Sequence, residues 1–313
     1  MEPHDGSTSP GRVYQLIRPR MGTRNVLVPA GSRRGALAGI SLITRSKAAA
    51  LAAQWGLYYA TAVLGTRFVP GERVNWEPPG GGARWDALTT CLGPFDDLAL
   101  YERPQASRTG LAALLLREGR PVGFLKLREE PAELDREHRA MVALTDARPE
   151  TFRVPRVLDR GSTDGWHWML IEAMPPRPAA PARRIVLPRV LADIQRCLEP
   201  LLPRARDVPV HWRPMHGDLT PWNLRRCGRG LPWLIDWEDA AWAPPGADQV
   251  YYAVTSAAVL GRSSVAPSEP EHVEAARFWL DRMTARSGDD HDAPLTARLI
   301  TELRSRINPP ASR

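Results

Sequence analysis

The sequence predicts an α+β fold, in which an antiparallel sheet carrying one helix is followed by a mainly helical region. Two observations support this prediction. Between residues 98 and 172, short apolar runs rich in Leu, Val, Phe and Trp alternate with turn residues, as β-strands do. After the proline-rich connection at 175–181, longer segments have the pattern of helices. Together they predict two lobes, the first built on the sheet and the second on helices.

The elements of the first lobe follow one another in a definite order. Strands are expected at 98–102, 111–116 and 121–127, a helix at 131–144, and strands at 153–158 and 166–172. The helix is indicated by Leu134, Met141 and Leu144 and by acidic residues near its start. In the second lobe, helices are predicted at 187–202, 271–286 and 294–307.

The first 95 residues carry fewer signals. Residues 1–11 are rich in Ser, Pro and Gly and are predicted to be disordered. Residues 12–95 form a predicted accessory region of unknown role with one long helix, at 45–64. The breaker Pro-Pro-Gly-Gly-Gly at 78–82 lacks the strand and the Lys-Ser/Thr of a phosphate-binding P-loop, so it predicts a linker. The two lobes are assigned to 96–174 and 175–313.

Composition narrows the class of protein. The 313 residues are 43% hydrophobic and 25% charged, as in ordinary globular proteins. The most apolar segment, 48–65, is interrupted by Gln54 and two tyrosines, which predicts a buried or amphipathic helix rather than a membrane span. Three distant cysteines and a first stretch without an apolar core predict neither a disulfide framework nor a signal peptide, and hence a cytoplasmic location.

The net charge of +7 is carried mainly by an arginine-rich N-terminal part of the chain. Elsewhere basic and acidic residues are interspersed, and no zinc-finger spacing or RNA-recognition signature is present. Nucleic acid is therefore disfavoured as a partner.

One stretch carries the catalytic chemistry. Asp218 follows His216 by two residues, Asn223 follows five residues later, and a short apolar run then leads to Asp236. Phosphoryl transfer requires a carboxylate to orient the attacking hydroxyl and oxygen ligands that hold Mg²⁺ against nucleotide phosphates. An Asp-x4-Asn loop followed by an Asp at the end of the next hairpin strand supplies these groups.

The spacing resembles the catalytic and metal loops of the protein-kinase-like superfamily. The form His-Gly-Asp-x4-Asn with Ile-Asp-Trp-Glu at 235–238 is most similar to its aminoglycoside phosphotransferase and choline kinase branch. The resemblance implies a two-lobed kinase-like fold, Asp218 as catalytic base, and Asn223 and Asp236 as Mg²⁺ ligands. It covers about half the chain, from residue 98 to 254.

Lys126 is the candidate for the lysine that binds the α- and β-phosphates. Only two of the 42 basic residues are Lys, and this one lies in the apolar strand Gly-Phe-Leu-Lys-Leu. A compact ammonium is therefore favoured at that position. The resemblance implies a Glu partner in the next helix: Glu137, with Glu133 as the alternative. A lysine extending from a strand edge to solvent is the competing interpretation.

The phosphate-covering loop departs from the protein-kinase pattern, because 104–110 contains one glycine instead of Gly-x-Gly-x-x-Gly. Ser107, Thr109 and backbone N–H groups are the predicted phosphate contacts. The resemblance places backbone contacts to the nucleotide base between Glu172 and Met174.

Several neighbouring residues are assigned supporting roles. His216 is expected to brace the catalytic loop by hydrogen bonding, and Asp248 resembles the Asp that holds this loop's backbone. Trp222 and Trp237 are predicted to be packing residues rather than substrate contacts. Glu238 and Asp239 follow the metal loop and are interpreted either as acceptor-facing or simply as exposed acidic side chains.

The sequence thus predicts a Mg²⁺-dependent phosphotransferase that moves the γ-phosphate of ATP or GTP to a hydroxyl of a small molecule. Aminoglycosides are cationic, and a +7 chain does not suggest an acidic pocket for them. Sugars, amino alcohols such as choline, nucleosides and natural-product intermediates all remain open as acceptors. A catalytically silent kinase-like scaffold or regulator is the alternative, which the joint presence of Lys126, Asp218, Asn223 and Asp236 disfavours.

Overall fold

A computed structural model describes residues 13–18, 25–102, 110–182, 185–261, 270–286 and 293–308. The chain divides into two compact units. The first unit comprises Met1–Leu134 and Val157–Ala179, and the second comprises Asp135–Arg156 and Ala180–Arg313. The predictions for Ser107 and Thr109, and for residues 1–11, lie outside the described residues.

The elements alternate along the chain. The strands are β1 Val13–Ile17, β2 Asn25–Pro29, β3 Glu72–Asn75, β4 Asp97–Glu102, β5 Gly110–Arg117, β6 Arg120–Arg128, β7 Val157–Thr163, β8 Trp166–Ile171, β9 Ala180–Pro181, β10 Arg213–Met215, β11 Leu224–Arg226, β12 Trp233–Leu234 and β13 Ala241–Ala243. The helices are α1 Arg33–Leu42, α2 Ala48–Leu64, α3 Gly82–Leu92, α4 Pro131–Ala147, α5 Leu187–Leu198, α6 Ala247–Leu260, α7 Pro270–Arg286 and α8 Ala293–Ile307, and Thr66–Phe68 forms one 3₁₀ turn.

The first unit is built on one antiparallel sheet of eight strands, in the order β3-β1-β2-β4-β5-β6-β8-β7. A large apolar cluster, to which α3 contributes Trp85 and Leu88, holds this unit together. A smaller cluster joins Ala38 of α1 to Ala99, Leu114 and Leu116 of the sheet. Alternation of side chains along the strands supplies both clusters from one sheet.

The region 12–95 is continuous with this sheet. Its strand β2 pairs with β4, with Val26 opposite Tyr101 and Leu27 opposite Leu100. Tyr14, Leu16 and Leu27 are buried in the same apolar cluster as β5 and β6. The sheet therefore continues across the predicted boundary at residue 96. The division into an accessory region and a nucleotide-binding lobe stays a proposal about the roles of these two segments.

The predicted α+β class with an antiparallel sheet and a mainly helical second part is confirmed, with one misplaced strand. The strand predicted at 153–158 is found instead at Val157–Thr163, because Asp164 and Gly165 adopt positive φ angles of 49° and 75° and close a hairpin onto β8. Arg153 forms only an isolated bridge to Trp233 in the second unit. Pro155 lacks the N–H that a strand would need there.

The second unit has its core between α6, α7 and α8. Ala247, Val254, Ala276, Trp279 and Leu303 belong to this buried cluster. The Trp279 indole donates a hydrogen bond of 2.8 Å to the Ala247 carbonyl at the start of α6. Short strand pairs, β10 with β13 and β11 with β12 and β9, carry the loops of the candidate site beside this core.

The apolar segment near residue 50 forms α2, a helix that is exposed along much of its length, with only Gln54 and Thr61 buried. Of the two predicted alternatives, a fully buried helix is excluded, and the helix is partly exposed, with Leu57 and Tyr58 packed against the core. No helix in the described part of the chain is long and apolar enough to cross a membrane.

Candidate active site

The loop between β10 and β11 contains His216, Gly217 and Asp218. Gly217 has φ of +84°, and a Cβ placed on it would lie 2.1 Å from the backbone oxygen of Asp239. Any side chain would therefore collide with the neighbouring loop and would also need a left-handed backbone. Glycine in His-Gly-Asp is thus required by how closely two loops approach each other.

Asp248, in the first turn of α6, is hydrogen-bonded to the backbone of this loop. Its carboxylate accepts hydrogen bonds from the backbone N–H groups of His216, at 2.7 Å, and Gly217, at 3.1 Å. Burial raises the pKa of the Asp248 carboxyl to about 6, and the two backbone N–H donors oppose that rise. The contact pattern is the one expected of a residue that fixes a catalytic loop.

The ring of His216 links this loop to the one that contains Asp236. Its Nδ1 accepts a hydrogen bond of 3.0 Å from the backbone N–H of Asp218. Its Nε2 lies 3.1 Å from the carbonyl oxygen of Ile235, so the neutral ring carries its proton on Nε2 and donates it there. The ring also packs 4.3 Å from the fully buried Trp237 ring, centroid to centroid.

Asp218 and Asn223 are directly connected. The Asn223 Nδ2 donates to the Asp218 carboxylate at 2.7 Å and to its backbone oxygen at 3.0 Å. The backbone carbonyl oxygen of Asn223 in turn accepts a hydrogen bond from the backbone N–H of Ile235, at 3.1 Å. Since Asn223 is buried, its side chain is held in place, and its Oδ1 is the remaining oxygen with which it could bind a metal ion.

Asp236 adopts a left-handed backbone with φ of 72°, which is uncommon for a residue other than glycine. Such conformations cost roughly 1–3 kcal/mol and cluster at functional sites. The residue follows directly on β12, whose Leu234 pairs with Leu224 of β11. The strained turn follows Ile235, whose backbone N–H is hydrogen-bonded to the backbone oxygen of Asn223.

Three carboxylates meet at this turn. Ligand oxygens of Glu137, Asp236 and Glu238 all lie within 4.8 Å of one another. Glu137 and Glu238 are buried, and the backbone N–H of Trp237 donates to Glu137 at 3.3 Å. Hard oxygen ligands of this kind suit Mg²⁺, and a divalent cation would offset their mutual repulsion. The residues present therefore fit the predicted metal.

Two expectations about acidic residues need correction. The interpretation of Glu238 as an exposed acidic side chain is wrong, because it is buried and belongs to the carboxylate cluster. Asp239 accepts a hydrogen bond of 2.7 Å from Arg282 of α7, so it forms an ion pair within the unit. The sequence offers one indication that Glu238 belongs to the cluster, because it lies only two residues after the predicted ligand Asp236.

The predicted packing residues behave differently. Trp237 is fully buried, contacts Phe152 at 5.9 Å between ring centroids, and donates through its indole N–H to the Leu234 carbonyl. Trp222 is half-buried. Arg136 of α4, which the sequence did not single out, donates to the Glu238 carbonyl at 3.0 Å and helps to fix the metal-loop backbone.

In the first unit, Lys126 lies in the interior of the sheet. On β6 it stands opposite Ala112 of β5 and Met169 of β8, and only 5% of it is exposed. A lysine that reached solvent from a strand edge would be far more exposed, so that interpretation is wrong. Its partnership with Glu137 stays a prediction. Glu133, the alternative partner, lies 3.7 Å from Arg128.

Glu172 and Met174 follow directly on β8 and are both half-buried. Their predicted role in contacting the nucleotide base through the backbone is not decided by this placement and stays a prediction.

Comparison with known proteins agrees with the motifs. Residues 184–278 match the model of the phosphotransferase enzyme family, APH, a segment that contains Asp218, Asn223 and Asp236. No curated protein sequence matches the chain. The family match confirms the resemblance that the sequence predicts.

Solved structures similar to this chain include a protein assigned as a fructosamine-3-kinase from Haemophilus somnus, 12% identical with a TM-score of 0.47, covering 70% of this chain and 97% of that one. A thermostable mutant of the aminoglycoside phosphotransferase APH(4)-Ia is 12% identical with a TM-score of 0.45, covering 71% and 99%. Spectinomycin phosphotransferase APH(9)-Ia, in complex with ADP and spectinomycin, is 9% identical with a TM-score of 0.42, covering 69% and 91%.

Proposed function

We propose that this chain, which carries the sequence pattern of the phosphotransferase enzyme family over residues 184–278, moves the γ-phosphate of ATP or GTP to a hydroxyl of a small molecule. The observation that supports this best is the hydrogen-bonded pair of Asp218 and Asn223 joined through Ile235 to the strained Asp236 turn. A base and two oxygen ligands from adjacent loops are the groups that phosphoryl transfer requires.

In this proposal Asp218 orients the attacking hydroxyl and accepts its proton. The 2.7 Å hydrogen bond from Asn223 Nδ2 to one carboxylate oxygen fixes the orientation of the Asp218 side chain. A positioned carboxylate of this kind acts mainly by holding the acceptor in line with the phosphorus, which removes entropy from the barrier.

Asn223 and Asp236 would hold Mg²⁺, with Glu137 and Glu238 close enough to Asp236 to support it. When bound, the metal would neutralise charge on the nucleotide phosphates. Lys126 is our candidate for a contact to the α- and β-phosphates, with residues 96–174 as the nucleotide-binding lobe and 175–313 as the catalytic lobe. Glu172 and Met174 remain candidates for backbone contacts to the base.

The test is turnover of ATP and GTP with Mg²⁺ across a panel of small hydroxyl compounds, including aminoglycosides, amino alcohols and sugars. We expect a phosphorylated product from the wild-type protein and none from Asp218→Asn, with nucleotide binding retained. Asp207→Asn is the matched control, since Asp207 is an exposed aspartate outside the site. Turnover retained by Asp218→Asn would refute the role of this carboxylate.

A further inference from the structure

Helix α2 packs Leu57 and Tyr58 against the core but leaves other apolar side chains on its outer surface. Its 17 residues include no charged side chain, and only Gln54 and Thr61 are buried. Tyr59 is 61% exposed and Val63 76% exposed. An ordinary surface helix presents polar or charged side chains on its solvent-facing side. The helix therefore presents an apolar face to its surroundings.

Hydrogen bonding explains this orientation. The Gln54 Nε2 donates to the carbonyl oxygens of Ile40, at 2.8 Å, and Ile43, at 2.7 Å, at the C-terminal end of α1. Carbonyls at a helix end need such donors, because no further helical N–H reaches them. Gln54 thus helps to fix the rotation of α2 on α1, with Leu57 and Tyr58 toward the core and Tyr59 and Val63 exposed.

The exposed face continues beyond the helix end and is rich in aromatic rings. Leu64 is 46% exposed and Phe68 51%. Trp55 stacks on Tyr59 at 5.4 Å between ring centroids. We call the exposed residues Tyr59, Val63, Leu64 and Phe68 the α2 face. Apolar and aromatic side chains together are typical of surfaces that sit at the boundary between water and lipid.

The segment of the chain that contains this face carries charge of one sign. Residues 6–71 contain nine basic and no acidic side chains, whereas residues 72–313 contain 33 of each. Arg33 donates to the Ala62 carbonyl at 3.3 Å, next to Val63, and the Arg67 guanidinium lies 4.9 Å from the Phe68 ring centroid. Lys47 is exposed at the N-terminal end of the helix. The whole positive excess of the protein thus lies in the segment that carries the α2 face.

We propose that the α2 face is a peripheral docking surface for membranes that contain anionic phospholipids. Apolar side chains would enter the headgroup region while Lys47, Arg33 and Arg67 contact lipid phosphates, without any helix crossing the bilayer. A second copy of the chain is disfavoured as the occupant, because it would bring an equally basic segment against the first, and like charges repel. An anionic surface complements both the charge and the apolar character.

The test uses the full chain and two sets of vesicles, one of phosphatidylcholine alone and one of equal parts phosphatidylcholine and phosphatidylglycerol. Co-sedimentation is expected with the anionic vesicles, and we expect it to weaken as salt screens the charges. Lys47→Gln with Arg67→Gln is expected to weaken binding about 30-fold, since each basic residue near an anionic surface contributes about a factor of five. Val63→Ser with Leu64→Ser is expected to lower it by at least roughly tenfold.

Matched controls separate the α2 face from general effects of charge and apolar exposure. Arg206→Gln with Arg229→Gln removes the same charge from exposed positions in the second unit. Leu201→Ser with Val210→Ser removes two apolar side chains of comparable exposure there, 54% and 85%. Both control pairs are expected to bind like wild type.

Three results would overturn the proposal. The first is a folded protein that does not bind anionic vesicles, and the second is a loss of binding in the control variants as large as in the α2 variants. The third is a wild-type dimer in light scattering that dissociates on Val63→Ser with Leu64→Ser and does not bind vesicles, which would assign the face to a second copy.

Discussion

The carboxylate of Asp248 and the backbone N–H of His216 are joined by a buried hydrogen bond of 2.7 Å. A second bond, from Gly217, occupies the other carboxylate oxygen. Because the donors belong to the backbone, this contact fixes the path of the candidate catalytic loop and not only the position of one side chain. The stability of the protein and the geometry of its candidate site therefore depend on the same group.

The first prediction concerns pH. The pKa of Asp248 is raised by burial to about 6 in the folded protein, from 3.8 for an unperturbed carboxyl. The folded state therefore binds the carboxyl proton of Asp248 more tightly than the unfolded state does. The stabilisation from this proton is complete below about pH 4 and is lost as pH rises through 6. The loss is roughly 3 kcal/mol.

Urea unfolding of wild type and Asp248→Asn between pH 4 and 7 measures this contribution. The difference in unfolding free energy between the two proteins should change with pH in the direction just given. A constant difference would show that Asp248 does not titrate in this range.

The second prediction concerns Gly217. Gly217→Ala adds a Cβ that would meet the backbone oxygen of Asp239, in addition to the strain of a positive φ angle. Gly230→Ala provides the control, because its φ is also positive, at +99°, but its Cβ would have nothing within 4 Å. We expect a cost of about 1–2 kcal/mol for Gly230→Ala from backbone strain alone.

For Gly217→Ala we expect at least about 2 kcal/mol more, from the collision. Chemical denaturation gives both values, and turnover should fall only for Gly217→Ala. Equal costs for the two variants would mean that the two loops do not approach as closely as described.

The third prediction concerns Asp236. Asp236→Asn removes one of three carboxylates whose oxygens lie within 4.8 Å, and Asn tolerates the left-handed backbone. Wild type should gain stability from Mg²⁺ with nucleotide by mass action, and the variant should not. Differential scanning fluorimetry checks both, and a variant that keeps the Mg²⁺ response would exclude Asp236 as a ligand.

The fourth prediction separates two glutamates of α4. Glu137→Gln alters a buried member of the carboxylate cluster and should lower turnover at least roughly tenfold, as loss of one charge-assisted contact does. Glu133→Gln alters a partly exposed residue whose nearest described ion-pair contact, Arg128, is 3.7 Å away. It should change stability by less than about 1 kcal/mol and leave turnover near wild type. The reverse ranking in steady-state kinetics would make Glu133 the functional residue.

Local patterns predicted the motif-bearing loops and most strands of the sheet. The turn at Glu118 and Gly119, with φ angles of 52° and 73°, was readable because that pair closes hairpins. The spacing of Asp218, Asn223 and Asp236 likewise located both loops of the site. Such features depend on neighbours in sequence.

What could not be predicted depends on contacts between distant residues. The pairing of β2 with β4 joins segments about 75 residues apart, and no local pattern in β2 identifies its partner. The burial of Glu238 results from the packing of α4 beside the metal loop, where Arg136 fixes its carbonyl. The exposure of Tyr59 and Val63 on α2 depends on the rotation of that helix, which the contacts of Gln54 with the end of α1 help to fix.

The continuity of the sheet across residue 96 limits how this protein could be shortened. A chain that began there would keep every motif of the candidate site, yet β4 would become an edge strand with a row of unpaired backbone groups. It would also lose Tyr14, Leu16 and Leu27 from the apolar cluster behind β5 and β6. A minimal catalytic fragment chosen from the motif boundaries would thus be prone to aggregate. An insertion within β2 or β4 would interrupt the same pairing.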